Sequence, residues 1–204
     1  MEDLYAAGKG AFMEHAALIN DPPEERIATQ VLSENRLERI NDIFTRSFKP
    51  VMKNSNIYQS FFALIKKLNK FFSLSKAVLV VHSERDNCLK VIAVRRRKGT
   101  RTGLALTIPE KNSLLYKIFR ENSIFTLDYP VFGGANFIER KLLFGRRVSS
   151  VAVCPLTANG RTTGLICMTS PIDYAFSMFR NGILDGILEE YGQIVDRELN
   201  RLPI

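Results

Sequence analysis

The chain has 204 residues, 46% of them apolar, and a formal net charge of +8 at pH 7. That length supports one well-buried core and is short for two ordinary domains. The longest clear apolar run, Ala77 to Val81, is far below the roughly 18 residues that span a bilayer. The acidic start at Glu2 and Asp3 lacks the pattern of a secretory signal, so a cytoplasmic protein without membrane contact is expected.

Residues 1–22 read as a flexible or partly helical arm, with Leu4, Phe12, Met13, Leu18 and Ile19 at weak helical spacing and Gly8 and Gly10 opposing it. In "NDPPEER", Asp21 offers a cap, and proline and acids follow in the first turn. A helix is predicted from about Pro23 to Phe48, ended by Pro50, with Ile27, Val31, Leu37, Ile40, Ile43 and Phe44 suited to packing on partner helices. Residues 23–54 thus form a helical segment used for dimerisation, ahead of a domain over 55–204.

The next helix is marked by Ile57, Phe61, Leu64, Ile65, Leu68, Phe71 and Phe72, with Lys66, Lys67 and Lys70 on its other face. The period then shortens. Ala77–Val81 and Cys88–Val94 predict a hairpin around "HSERDN", leading into the basic run Arg95–Lys98. After a break at Gly99–Gly103, a short strand is expected over 104–108, a helix over about 110–121 and a strand over 124–127. Residues 128–147 read as a long irregular connection with at most a helical turn. A hairpin of buried strands over 149–171 and a helix over 179–202 close the chain, the latter with a stripe from Ile183 to Leu199.

Charge is concentrated in the middle. Residues 51–148 hold 19 basic and 6 acidic side chains, while the flanking regions are mildly acidic, which favours an acidic partner or anionic ligand there. Cys88, Cys154 and Cys167 are too few and too scattered for a disulfide framework, and His15 and His82 have no ligand cluster beside them, so no metal site is expected. Cys154 and Cys167 sit in apolar runs as packing residues, although they can face each other across the hairpin. Gly160 suits the turn and Gly164 close strand packing.

In the closing hairpin, Ser150, Pro155-Leu156, Gly160, Gly164-Leu165-Ile166 and Met168 follow a pattern that resembles a GAF domain, as does the element order. "LLFGRRVSSVAVCPL" and "MFRNGILDGILEEYGQIVDREL" are similar to a bacterial GAF-related family in which a helical segment precedes the domain. The similarity covers about residues 55–202. It implies an α+β fold: a central antiparallel sheet with N- and C-terminal helices packed on one face and a small-molecule pocket on the other. GAF domains commonly bind cyclic nucleotides, tetrapyrroles, amino acids or other metabolites, and commonly pair through their terminal helices.

The asparagine-lysine-phenylalanine-acid signature of cyclic-nucleotide-binding members has no counterpart, "NFIER" at 136–140 being an echo of it. No cysteine has the adjacent histidine of bilin attachment, and the cysteines of the GAF-type methionine sulfoxide reductases do not map onto this chain. The expectation is a non-enzymatic sensory or regulatory module with no catalytic residues and no specified cofactor. It forms a homodimer through helices 23–48 and 179–202 and binds a small molecule or protein partner. The pocket is expected between the strand near Val94, the helix at Tyr116, the 128–147 loop and the final hairpin, with Tyr116, Phe132, Phe144, Arg146 and Arg147 as ligand contacts. Arg95, Arg97 and Lys98 are candidates for anion contact. The alternatives are a cysteine-dependent redox enzyme and a nucleic-acid-associated regulator that uses the basic segment without a recognisable binding motif.

Overall fold

Asn56 starts the first helix, its side-chain oxygen accepting from the backbone N–H groups of Tyr58 (3.1 Å) and Gln59 (2.9 Å). This satisfies two of the donors that a helix start leaves open. The computed structural model describes residues 56–96, 99–128, 134–145 and 147–201; the arm and the helix expected over 23–48 lie outside the described residues. Helix α1 runs Ile57–Phe72 and buries Ile57, Phe61, Leu64, Ile65, Leu68 and Phe72, while Phe71, expected in the same stripe, is exposed. Ser73 stops it in the left-handed conformation (φ 48°).

Six strands follow: β1 (Lys76–Ser83), β2 (Cys88–Arg96), β3 (Gly99–Thr107), β4 (Phe125–Asp128), β5 (Ser150–Ala158) and β6 (Arg161–Ser170). They form one antiparallel sheet in the order β3-β2-β1-β6-β5-β4. Asn159 and Gly160, at φ of 52° and 76°, make the tight turn between β5 and β6, a geometry that Asn-Gly adopts at little cost. Gly164 lies where β6 meets β1: a Cβ there would overlap the Val80 carbonyl oxygen and come within 3.2 Å of the Val81 Cα. Close strand approach is therefore the role of that glycine.

The helices divide between the two faces. Helix α4 (Asp185–Leu199) buries Ile187, Leu188, Tyr191, Ile194 and Val195 and packs on β5 and β6 beside α1. Each of these large apolar side chains contributes about 2 kcal/mol by leaving water. The buried Tyr191 hydroxyl donates to the Ile57 carbonyl at 2.9 Å, joining the two helices. On the opposite face, α2 (Leu114–Glu121) and α3 (Phe137–Leu143) pack on Val78, Val80, Val91, Val151, Val153 and Leu165.

Several boundaries differ from those read in the sequence. Helix α2 starts at Leu114 because Ser113 caps it, accepting from the Tyr116 N–H; Pro109 stays outside. β3 begins at Gly99, where Arg95 and Arg96 carry the pairing on to Thr100 and Gly99. Within 128–147 lies a two-turn helix, α3, whose capping box joins Asn136 and Glu139. The closing helix is divided: a 3-10 turn, Ser177–Asn181, ends at Gly182 (φ 71°), and α4 begins only at Asp185. Among the described residues no helix is long and apolar enough to cross a membrane.

Candidate functional site

A cleft of about 460 Å³ opens at the end of the sheet where β1 turns into β2 and β6 begins. It is bounded on one side by α2 and on the other by the C-terminal turn of α4, through Asp196, Leu199 and Asn200. His82 is the last but one residue of β1 and stacks on Phe119 of α2, ring centroids 5.1 Å apart and planes 30° from parallel. This pair gives the cleft a flat aromatic wall.

Opposite it stands Arg161, the first residue of β6 after the Asn-Gly turn. Its Nη1 reaches Glu84 Oε1 and its Nη2 reaches Asp196 Oδ1, both at 2.8 Å. The hydrogen bond that it donates to Asp196, then the charges of Asp196 and Glu84, hold the guanidinium above its ordinary pKa. Arg161 thereby links the β1–β2 turn to α4 through two planar, charge-assisted contacts. Thr162 shares a hydrogen bond of 2.9 Å with Asn122, and Thr163 donates to the Leu156 carbonyl at 3.2 Å. The wall thus combines balanced charge, hydroxyls and one aromatic slab, the lining expected of a small-molecule site.

The described residues among those singled out from the sequence fall elsewhere. Tyr116 and Phe144 are buried in the core beneath α2 and α3, and the Tyr116 hydroxyl accepts from the Leu89 N–H at 2.9 Å. The structure brings these two together with Val94, filling the space between sheet and helices with side chains. Arg147 is exposed. Arg95 is half-buried and donates from Nη1 to the Phe62 carbonyl of α1 at 3.0 Å. Phe132, Arg146, Arg97 and Lys98 lie outside the described residues.

Glu139 was visible in the sequence only as part of "NFIER". It is fully buried, and its carboxylate accepts from the N–H groups of Leu114 (3.0 Å), Leu115 (2.9 Å) and Asn136 (2.9 Å) and from the Ser113 hydroxyl. One carboxylate therefore caps both α2 and α3 and locks them together.

Cys154 and Cys167 lie on neighbouring strands, one register step apart. Val153 pairs with Cys167 and Cys154 with Ile166, so the two thiols point to opposite faces of the sheet and do not face each other. Both are fully buried. Burial pushes the Cys154 thiol far up, and the charge of Asp185 adds to the shift. Cys167 is raised by burial first, then by Cys154 and Glu139. Neither is poised as a thiolate. Cys88, at the start of β2, is half-buried. Among the described residues no three His, Cys, Asp or Glu side chains gather as metal ligands.

No protein-family model and no curated protein matches the chain, whereas solved structures do. The chain is similar to the GAF domain of a two-component sensor histidine kinase from Bacillus halodurans, with 18% identity and a TM-score of 0.53 over 70% of this chain and 95% of that one. The GAF domain of a phosphoenolpyruvate-protein phosphotransferase from Coxiella burnetii matches with 12% identity and a TM-score of 0.61, covering 81% and 95%. A free methionine-R-sulfoxide reductase from Neisseria meningitidis, solved in complex with its substrate, matches with 12% identity and a TM-score of 0.54, covering 81% and 89%.

Proposed function

The chain has the GAF fold, and from it we propose a sensory or regulatory module that binds a small molecule in the cleft at the β1–β2 turn, without catalysis of its own. The observation that carries this reading is the convergence of His82, Phe119, Arg161 and Asp196 on one cleft of about 460 Å³. The ligand class it suits is a polar, zwitterionic metabolite, since the lining offers acids and bases together. Arg161 gives occupancy a route to α4, because it contacts both the turn and Asp196. Dimerisation through the helical segment 23–54 and α4 belongs to the same reading; it would use the exposed side of α4, since the buried stripe is occupied by β5 and β6.

Native mass spectrometry of freshly purified full-length chain tests both halves. A dimer mass with a carried metabolite is expected, and a monomer at micromolar concentration overturns the dimer. Arg161→Ala is expected to weaken the metabolite by about tenfold while lowering the unfolding midpoint only slightly, because the Glu84 pair is exposed and the Asp196 pair is half-exposed on the arginine side. An unaltered affinity in that variant removes the cleft as the site.

The likeness to the Neisseria enzyme favours a second reading, a thiol-dependent reductase. Cys88 is the half-buried thiol of the three and the one such chemistry would use. Loss of methionine sulfoxide turnover on Cys88→Ser supports it, and a chain that turns over no substrate, or is indifferent to all three Cys→Ser changes, removes it.

A further inference from the structure

The two edges of the sheet are unlike. β4, at one edge, has four residues, none of them exposed. β3, at the other, has nine residues, and all but Leu104 are exposed. Folds commonly keep an open edge short or covered, because its unpaired N–H and C=O groups accept another strand. The Ile108 N–H donates to the Leu89 carbonyl at 2.8 Å, so by antiparallel alternation the N–H and C=O of Thr107 point away from β2. The register with β2 shifts between Val91 and Ala93, and Gly103 (φ 66°) lies in the extra residues of β3, so the edge is offered in two pieces, 99–102 and 106–107.

The side chains along this edge are sorted. Val94 belongs to the core under α2 and α3, so its cross-strand partner Arg101 and its next neighbour on the same side, Arg96, project on that face. Lys76, opposite Arg96 on β1, adds a third cation to the row. Farther along, Leu104 packs on the same core, and Leu106, opposite Val91, is 45% exposed. One face of the edge thus presents basic residues and then two leucines. Residues 87–109 hold six basic side chains and no acidic one. Among the described residues no aspartate or glutamate forms an ion pair with Arg96 or Arg101.

We propose that β3 takes up an acidic, extended segment of a partner protein as a further strand of the sheet. Antiparallel addition continues the pattern of the sheet and sets the segment's N-terminal half beside Leu104 and Leu106 and its C-terminal half beside Arg101 and Arg96. The segment that fits has aliphatic residues at alternate positions of the first half and carboxylates at alternate positions of the second. A second copy of β3 fits poorly, because antiparallel pairing centred on 99–102 brings the two Arg101 side chains to the same or adjoining register positions. A nucleic acid engages the arginines but leaves the leucines and the outward N–H of Thr107 unused. This edge is separate from the cleft, so either can fail without the other.

Fluorescence anisotropy of the full-length chain with a labelled peptide of the nine-residue length of β3, valine alternating in its first half and glutamate in its second, tests the proposal. Binding is expected, about tenfold weaker with glutamine in place of every glutamate, and lost when the alternate peptide amides that face β3 are N-methylated. Hydrogen exchange at the Thr107 amide should slow in the complex. Arg101→Gln should weaken the peptide about threefold, one exposed ion pair, and Arg101→Glu about tenfold; the side chain is exposed on an edge strand, so both variants keep the fold. Arg161→Ala should leave peptide affinity unaltered. Absence of binding, equal binding of the N-methylated peptide, or indifference to Arg101→Glu overturns the proposal. It is also overturned if a single-stranded oligonucleotide binds more tightly than the peptide, with a steep salt dependence and unaltered exchange at Thr107, which marks a nucleic-acid surface instead.

Discussion

On one face of the sheet, α4 lies so close to β5 that a Cβ on Gly192 would overlap the Thr157 carbonyl oxygen and sit 2.8 Å from its nitrogen. On the other face, α2 and α3 are short, and their N-termini share the single carboxylate of Glu139. The first attachment rests on shape: a glycine lets the helix descend, and five large side chains fill the contact. The second rests on polar satisfaction: buried N–H groups of two helices depend on one acceptor. A helix long enough to carry its own apolar stripe can be placed by packing, whereas helices of eight and seven residues need an electrostatic clasp.

That contrast can be broken from either side. Gly192→Val should have the largest effect, about 4 kcal/mol or outright failure to fold, because the clash is with backbone and no rotamer relieves it; urea unfolding measures it. Glu139→Ala should cost about 3 kcal/mol, since it leaves the Leu114 and Leu115 N–H groups buried without an acceptor. Its signature is local: hydrogen exchange at those two amides should quicken well before exchange in β5 and β6. Tyr191→Phe should cost about 1 kcal/mol, one neutral hydrogen bond, with the packing of α4 preserved. If Glu139→Ala unfolds the two faces together, with no local phase, the two faces are not attached by separate means.

The legible parts of the fold were those written in local period. The stripe from Ile57 to Phe72 gave α1, and the paired apolar runs about Asn159-Gly160 gave β5 and β6. Less legible was any element whose boundary depends on a distant residue. Helix α2 takes its start from Ser113 together with Glu139, and nothing in the spacing of 109–121 announces an acceptor from α3. Glu139 itself reads as an ordinary polar residue on a short helix. The cleft was missed for a related reason: His82, Arg161 and Asp196 each look like solvated side chains, and only the antiparallel register and the fold of α4 bring them to one place. The large aromatics chosen as ligand contacts showed the opposite problem, since Tyr116 and Phe144 look available in sequence and are core in the structure. His82 beside the turn was the one signal that could have directed attention to this end of the sheet.

The sheet order has a kinetic consequence. Strands β1, β2 and β3 form a meander of neighbours, β5 and β6 a second local unit, and β1 meets β6 only by closing a span of more than eighty residues, with Val81 opposite Gly164. Hairpins close in microseconds, while so wide a loop carries an entropic cost before any contact repays it. The seam between β1 and β6 is thus the place where the folding barrier should sit. Gly164, which lets the two halves meet at full depth, then governs the speed of assembly more than the lifetime of the finished domain. Stopped-flow refolding of Gly164→Ala should show a slower folding limb with an unfolding limb close to that of the natural chain.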